Sequence, residues 1–376
     1  MKILYTASVL SHICQFHLSV MKALQEQGHE IHVAARDNLA EKNGLKLKYC
    51  DSYHPIDFQR SPKSKKNINA YKQLKALLNS EYFDVIICNT PVVGAMSRKA
   101  AKETRKKGTK VVYIPHGYHF CKGGTKKSWL IFYPIEKHLA NKYTDLIITI
   151  AQEDYELTKR KFKPAVEHIY GVGVDPKRYK PVTPEEQQLM RSKEGLSPKD
   201  FVVSCTKELM FDNNQKTIIS AVNMVRDRIP NIKLLLAGNG PDEEKLKKQI
   251  ESLQLNEAVT MLGYRTDLEK VIPAVDVVVS CSYREGMPLN IIEAMLCERP
   301  IIASHNRGHD ELIDDGKTGF LINALDANLL AEKLLYLYNN PDEAIRFGKR
   351  AYQKAQKYTV DSVTSQMLPI IEKVKK

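Results

Sequence analysis

The chain has 376 residues, enough for two cores, and a formal net charge of +13; no run approaches the ~18 apolar residues of a spanning helix. Its seven cysteines (Cys14, Cys50, Cys88, Cys121, Cys205, Cys281, Cys297) are scattered, odd in number and never spaced Cys-x-x-Cys, which argues against a disulfide framework and structural zinc and predicts reduced, mostly buried thiols. The charge is uneven: residues 1–180 carry +15 and residues 181–376 carry −2.

In chain order, Met1-Lys2-Ile3-Leu4-Tyr5 opens a strand pattern instead of a charged leader, so a cytoplasmic chain is expected. Apolar runs at 3–9, 31–35, 84–89, 110–115 and 145–150 read as strands separated by helix-length amphipathic segments. Between them lie basic concentrations at Arg60-Ser61-Pro62-Lys63-Ser64-Lys65-Lys66, at 98–110, and at Lys122 with Lys126-Lys127, followed by Trp129-Leu130-Ile131-Phe132-Tyr133. That pattern suits an anionic membrane surface; a solvated charged face, and a buried helix face for 129–133, are the alternatives. Nucleic acid is not expected, because no metal finger, aromatic RNA-binding signature or basic heptad helix occurs. Gly171-Val172-Gly173-Val174-Asp175-Pro176 and Pro181-Val182-Thr183-Pro184 form the expected hinge, with Thr183 as N-cap and Glu186 completing a capping box. Strands follow at 202–206, 233–237, 259–262, 276–280, 300–304 and 319–322. Alternating β and α at this spacing predicts an α/β chain of two Rossmann-like domains, 1–180 and 181–376, whose doubly wound parallel sheets face each other across a cleft.

The segment Ser282-Tyr283-Arg284-Glu285-Gly286-Met287-Pro288-Leu289-Asn290-Ile291-Ile292-Glu293 places two carboxylates eight apart around a helix start. Pro288 is expected at the first helical position, where a missing N–H costs nothing, and Ile291, Ile292 and Met295 are expected to be buried. The free N–H groups of that turn suit a diphosphate, with Glu285 placed for sugar hydroxyls and Glu293 for a ribose. A βα turn with two solvated glutamates is the alternative. No Asp-x-Asp triplet occurs, so metal independence is expected, and Asp314-Asp315-Gly316 reads as a turn.

Together with Leu235-Leu236-Ala237-Gly238-Asn239-Gly240-Pro241, Leu262-Gly263-Tyr264-Arg265-Thr266-Asp267 and Asp315-Gly316-Lys317-Thr318-Gly319, this segment resembles the retaining E-x7-E glycosyltransferases of the GT-B fold. The first half, in Ser11-His12-Ile13-Cys14-Gln15-Phe16-His17, Asn89-Thr90-Pro91 and Pro115-His116-Gly117-Tyr118-His119-Phe120, is similar to the branch that builds bacterial capsular and exopolysaccharide repeat units. The resemblance implies transfer of a sugar, of N-acetylated hexose type, from a UDP-sugar to a polyprenyl-diphosphate-linked saccharide at the inner membrane face, with no cofactor. It implies catalytic roles for His116 and Glu285, to which Lys207, standing where relatives have Gly, is added as an expected catalytic cation. It implies donor contacts from Glu293, Gly286, Met287, Pro288, Leu289, Asn239, Gly240, Arg265 and Asn213. Acceptor contacts are implied for His12, Phe16, His17, Arg60, Tyr118 and His119, with His17 reading equally as a packed helix residue. The last helix, about 356–376, is expected to cross back to the first domain. Asn213 stands where relatives carry a diphosphate-binding Lys, and Lys207 is the expected replacement, although both also read as surface residues. The departure leaves open a binding subunit without catalysis, and the same fold would also serve a nucleotide-sugar epimerase.

Overall fold

The computed structural model describes residues 1–41, 44–121 and 124–375; Lys122 of the basic run and Lys376 of the last helix lie outside them. The chain divides into two compact units, Met1–Gly173 with Val360–Lys376, and Val174–Thr359, so the boundary falls at 173/174 and not at 180/181. Gly173 adopts φ +85°, and a Cβ there would lie 2.7 Å from Val360 Cα, so only glycine fits this crossing.

The first unit carries a parallel sheet in the order β3-β2-β1-β4-β5-β6-β7. Its strands are β1 (Lys2–Val9), β2 (Glu30–Arg36), β3 (Ser52–Pro55), β4 (Val85–Asn89), β5 (Lys110–Ile114), β6 (Leu146–Thr149) and β7 (Ala165–His168). The central strands are apolar and buried because helices cover both faces of a parallel sheet. The helices that matter here are α1 (Leu10–Phe16), α2 (Leu18–Glu26), α3 (Lys66–Ser80), α4 (Pro91–Ala100) and α5 (Lys126–Tyr143). On α5, Trp129 and Tyr133 pack against the core while Leu130, Ile131, Phe132 and Ile135 are exposed, so 129–133 is not one buried face.

The second unit starts with α6 (Pro184–Lys193), whose capping box is formed: Thr183 Oγ1 accepts from Glu186 N at 3.2 Å, and Glu186 Oε2 accepts from Thr183 N at 2.8 Å. Its parallel sheet runs β10-β9-β8-β11-β12-β13. The strands are β8 (Phe201–Thr206), β9 (Ile232–Ala237), β10 (Val259–Gly263), β11 (Val277–Ser280), β12 (Ile301–Ser304) and β13 (Gly319–Ile322). Helices α7 (Leu289–Leu296) and α8 (Arg307–Leu312) follow β11 and β12. Pro288 is the N-cap of α7 and not its first helical residue: the ring fixes φ at −78°, but ψ is 103°, which is extended. Ile291, Ile292 and Met295 are buried. The chain ends in α9 (Val360–Lys375), which belongs to the first unit and packs on α2. Among the described residues, no helix is long and apolar enough to cross a membrane.

Candidate functional site

In the second unit, strand order reverses between β8 and β11, the switch point at which open α/β sheets bind ligands. Lys207 leaves β8 there, Glu285 lies in the loop from β11 to α7, and the Lys207 ammonium pairs with the Glu285 carboxylate. The side chains are 10% and 16% exposed, so the pair is largely shielded from water. Gly286, Met287 and Pro288 complete that loop, Leu289 opens α7, and α8 presses on the loop: a Cβ on Gly308 would lie 2.7 Å from Gly286 O. From the same helix, Arg307 Nε donates to Glu285 O at 3.2 Å. One α7 turn beyond the motif's start, Glu293 is partly buried; desolvation pushes its carboxyl up to about 7, against a Tyr179 hydroxyl that donates to it and the nearby Arg178.

Four predicted donor residues, Asn213, Asn239, Gly240 and Arg265, make contacts within the protein. Asn213 Nδ2 donates to Glu208 O at 2.8 Å and its Oδ1 accepts from Ser282 Oγ at 3.3 Å, so it ties the β8 and β11 loops together. Asn239 O accepts from Leu209 N at 2.9 Å, and a Cβ on Gly240 would lie 2.3 Å from Leu209 O; this glycine serves contact between loops. Arg265, beyond edge strand β10, is held by Glu194 at 2.9 Å and Asp267 at 2.7 Å, two carboxylates that occupy its guanidinium.

In the first unit, His12 and His17 follow β1 and His116 follows β5. His12 Nε2 and His116 Nε2 are 3.1 Å apart, Asn89 Oδ1 is 3.4 Å from His116 Nε2, and the Phe16 ring lies 4.9 Å from His12 and 5.4 Å from His116. Burial pushes His116 down to about 4 and holds His12 and His17 well below the usual histidine range, so all three are neutral at pH 7. Neutral imidazoles both donate and accept, which suits sugar hydroxyls. His17 is buried and its Nε2 has no protein partner. The ligand nitrogens of these three histidines lie within 4.8 Å of one another, a spacing that one metal ion could bridge; His32, His54 and Glu81 form a second such group. Arg60 is exposed, and its charge acts on His12. Tyr118 is buried, accepting from Thr158 Oγ1 at 3.3 Å and stacking on Phe120 at 4.7 Å, so most of its side chain is packed into the core. His119 is exposed, 4.9 Å from the Phe132 ring.

Residues 186–354 match the family model described as Glycosyl transferases group 1, and residues 2–150 match Glycosyl transferase 4-like. The Bacillus subtilis (strain 168) protein named "Putative glycosyltransferase EpsD" is 38% identical over 371 residues, spanning 98% of this chain and 96% of that one. The chain belongs to the group 1 glycosyltransferase family. The N,N'-diacetylbacillosaminyl-diphospho-undecaprenol alpha-1,3-N-acetylgalactosaminyltransferase of Campylobacter jejuni is 24% identical over 392 residues, covering 100% of this chain and 99% of its own. The crystal structure of Anabaena HepE in complex with UDP and glucose has a TM-score of 0.80 at 21% identity, covering 99% of this chain and 100% of that chain. The fold is thus that of the GT-B glycosyltransferases.

Sequence reasoning missed three residues of this glycosyltransferase. Tyr179 meets Glu293 from far along the chain, and no local spacing announces it. Arg307 and His309 come in on α8, which Asn306 caps by accepting from Gly308 N at 3.1 Å and His309 N at 3.0 Å. The Asn306 cap was a readable signal. Buried His309, pushed down to about 4 by burial and by the Lys207 charge, keeps an unpartnered Nε2.

Proposed function

We propose that this glycosyltransferase is a retaining, metal-independent enzyme of the E-x7-E type. It moves a sugar of N-acetylated hexose type from a UDP-sugar to a polyprenyl-diphosphate-linked saccharide in capsule or exopolysaccharide assembly, working at the cytoplasmic membrane surface. The observation that carries the reading is the shielded Lys207–Glu285 pair at the switch point, with Glu293 a turn into the following helix. Lys207 and the N-terminal N–H groups of α7 meet the charge on the departing diphosphate. Glu285 keeps acceptor capacity for sugar hydroxyls after pairing with Lys207, and Glu293 accepts from the ribose. The neutral His116–His12 pair supplies hydroxyl contacts in the first unit. Support also comes from the UDP in the HepE structure and from the lipid-diphosphate acceptor in the Campylobacter enzyme's name. The absent Asp-x-Asp motivates metal independence.

The test is transfer by the purified protein from a panel of UDP-sugars to a short lipid-diphosphate saccharide. Transfer is expected to persist in excess EDTA, with the anomeric configuration kept in the product. Complete loss in EDTA restored by Mn²⁺ or Mg²⁺ would refute metal independence; no transfer from any donor would favour a binding subunit.

Glu293 gives the site a pH signature. Ribose hydroxyls donate to the ionised carboxylate and lower its pKa from about 7, so UDP binding releases a proton just below that pH. UDP affinity is therefore expected to rise with pH up to about 7 and then level off. Glu293→Gln should remove this component and keep only the titration of the diphosphate itself. Calorimetry in buffers of different ionisation enthalpy measures both; identical pH profiles for wild type and variant would detach Glu293 from the nucleotide.

A further inference from the structure

The first unit holds a cavity of about 820 Å³ between α3, α4, α5 and the loop Gly117–Phe120, within the size range of small-ligand sites. Its walls are mostly apolar and face water: Ile68 is 63% exposed on α3, Ile131 43%, Phe132 41% and Ile135 54% on α5, with half-exposed Ala95 and Met96 on α4. The one carboxylate among the described residues of the lining, Glu136, is neutralised by fully buried Arg98, with Nη2 to Oε2 at 3.0 Å. The exposed lysines Lys72 and Lys75 stand on the α3 wall.

We propose that this groove takes the isoprenoid chain of the lipid-linked acceptor, an assignment that rests on the function proposed above. The cavity is concave and apolar, which fits a single flexible hydrocarbon chain better than a flat bilayer. The groove also adjoins the sugar-binding cluster. Its Gly117–Phe120 wall directly follows His116, and groove-lining Pro62 follows Arg60, whose charge reaches His12. Tail and saccharide are joined through a diphosphate, so cations are required where the groove meets the cluster. Arg60 stands at that junction, and Lys72 and Lys75 add positive charge along the wall.

Trp129 is the single tryptophan of the chain and packs 5.7 Å from Phe120, a groove residue, which makes it an internal probe. Titration with a polyprenyl phosphate in detergent micelles should change its fluorescence saturably. Ile135→Asp and Ala95→Phe should each weaken the response about tenfold, the scale of a perturbed apolar pocket. An equal response to anionic vesicles without polyprenol would make this a bilayer-facing surface instead, and a response that tracks self-association would make it an interface between copies. An unchanged response in both variants would empty the groove of lipid.

Transfer assays separate this proposal from the reading beneath it. Both variants should raise KM about tenfold for tail-bearing acceptor and leave transfer to a tail-free diphospho-saccharide unchanged. If wild type uses both acceptors with equal KM, the groove assignment alone fails. If it uses neither, the proposed function fails as well.

Discussion

Lys207→Ala is expected to lower turnover by about two orders of magnitude, the scale of one lost charge-stabilising contact. Two effects add in the same direction: the departing diphosphate loses its cation, and the Glu285 carboxylate is left unpaired in a largely desolvated loop. Glu285→Gln should cost a similar amount, because the two side chains act as a unit. The double variant Lys207→Met/Glu285→Gln should then be little worse than either single one, and steady-state kinetics on all three completes the cycle. Asn213→Lys should not rescue Lys207→Ala, since it removes the amide bonds to Glu208 and Ser282 that hold the two loops. Wild-type turnover in Lys207→Ala would leave the phosphates to the α7 N-terminus alone.

Arg98→Ala should destabilise the first unit by about 3–5 kcal/mol, the penalty for stranding one partner of a buried ion pair. Arg98 is fully buried; its Nε donates to Gly94 O at 3.0 Å, its guanidinium lies 3.8 Å from the Tyr113 ring centroid, and it pairs with Glu136. Urea unfolding followed at Trp129 reports this unit by itself, because the second unit has no tryptophan. Arg98→Met with Glu136→Leu should recover most of the loss, since an apolar pair of similar volume leaves no stranded charge. A midpoint for Arg98→Ala within about 0.5 kcal/mol of wild type, the range of ordinary surface changes, would show that the pair contributes little.

Every expected strand is present, because buried parallel strands write themselves as unbroken apolar runs. The two strands not foreseen, β3 with Ser52-Tyr53-His54-Pro55 and β7 with Ala165-Val166-Glu167-His168, are the two edges of the first sheet. Half-exposed edges carry polar and charged side chains and lack that run. The Glu285 to Glu293 spacing and the capping box at Thr183 were legible because both are local. Contacts between distant segments were not: no spacing pairs Lys207 with Glu285, 78 residues apart, or brings Tyr179 to Glu293. The Arg265–Glu194 pair was hidden for the same reason, since Glu194 lies 71 residues upstream. The burial of Tyr118 was not legible because a loop aromatic reads the same whether it faces a ligand or the core.

The second unit is one uninterrupted stretch of chain, whereas the first is assembled from both ends of it. During synthesis all of Val174–Thr359 is therefore made before the unit begun earlier receives its last helix. Until α9 emerges, with Val363, Met367 and Ile371 bound for the interior, α2 lacks that neighbour and the first unit shows apolar surface to chaperones and proteases. Trimming the carboxyl terminus would accordingly damage the domain made first, and the domain whose sequence immediately precedes the cut would be spared.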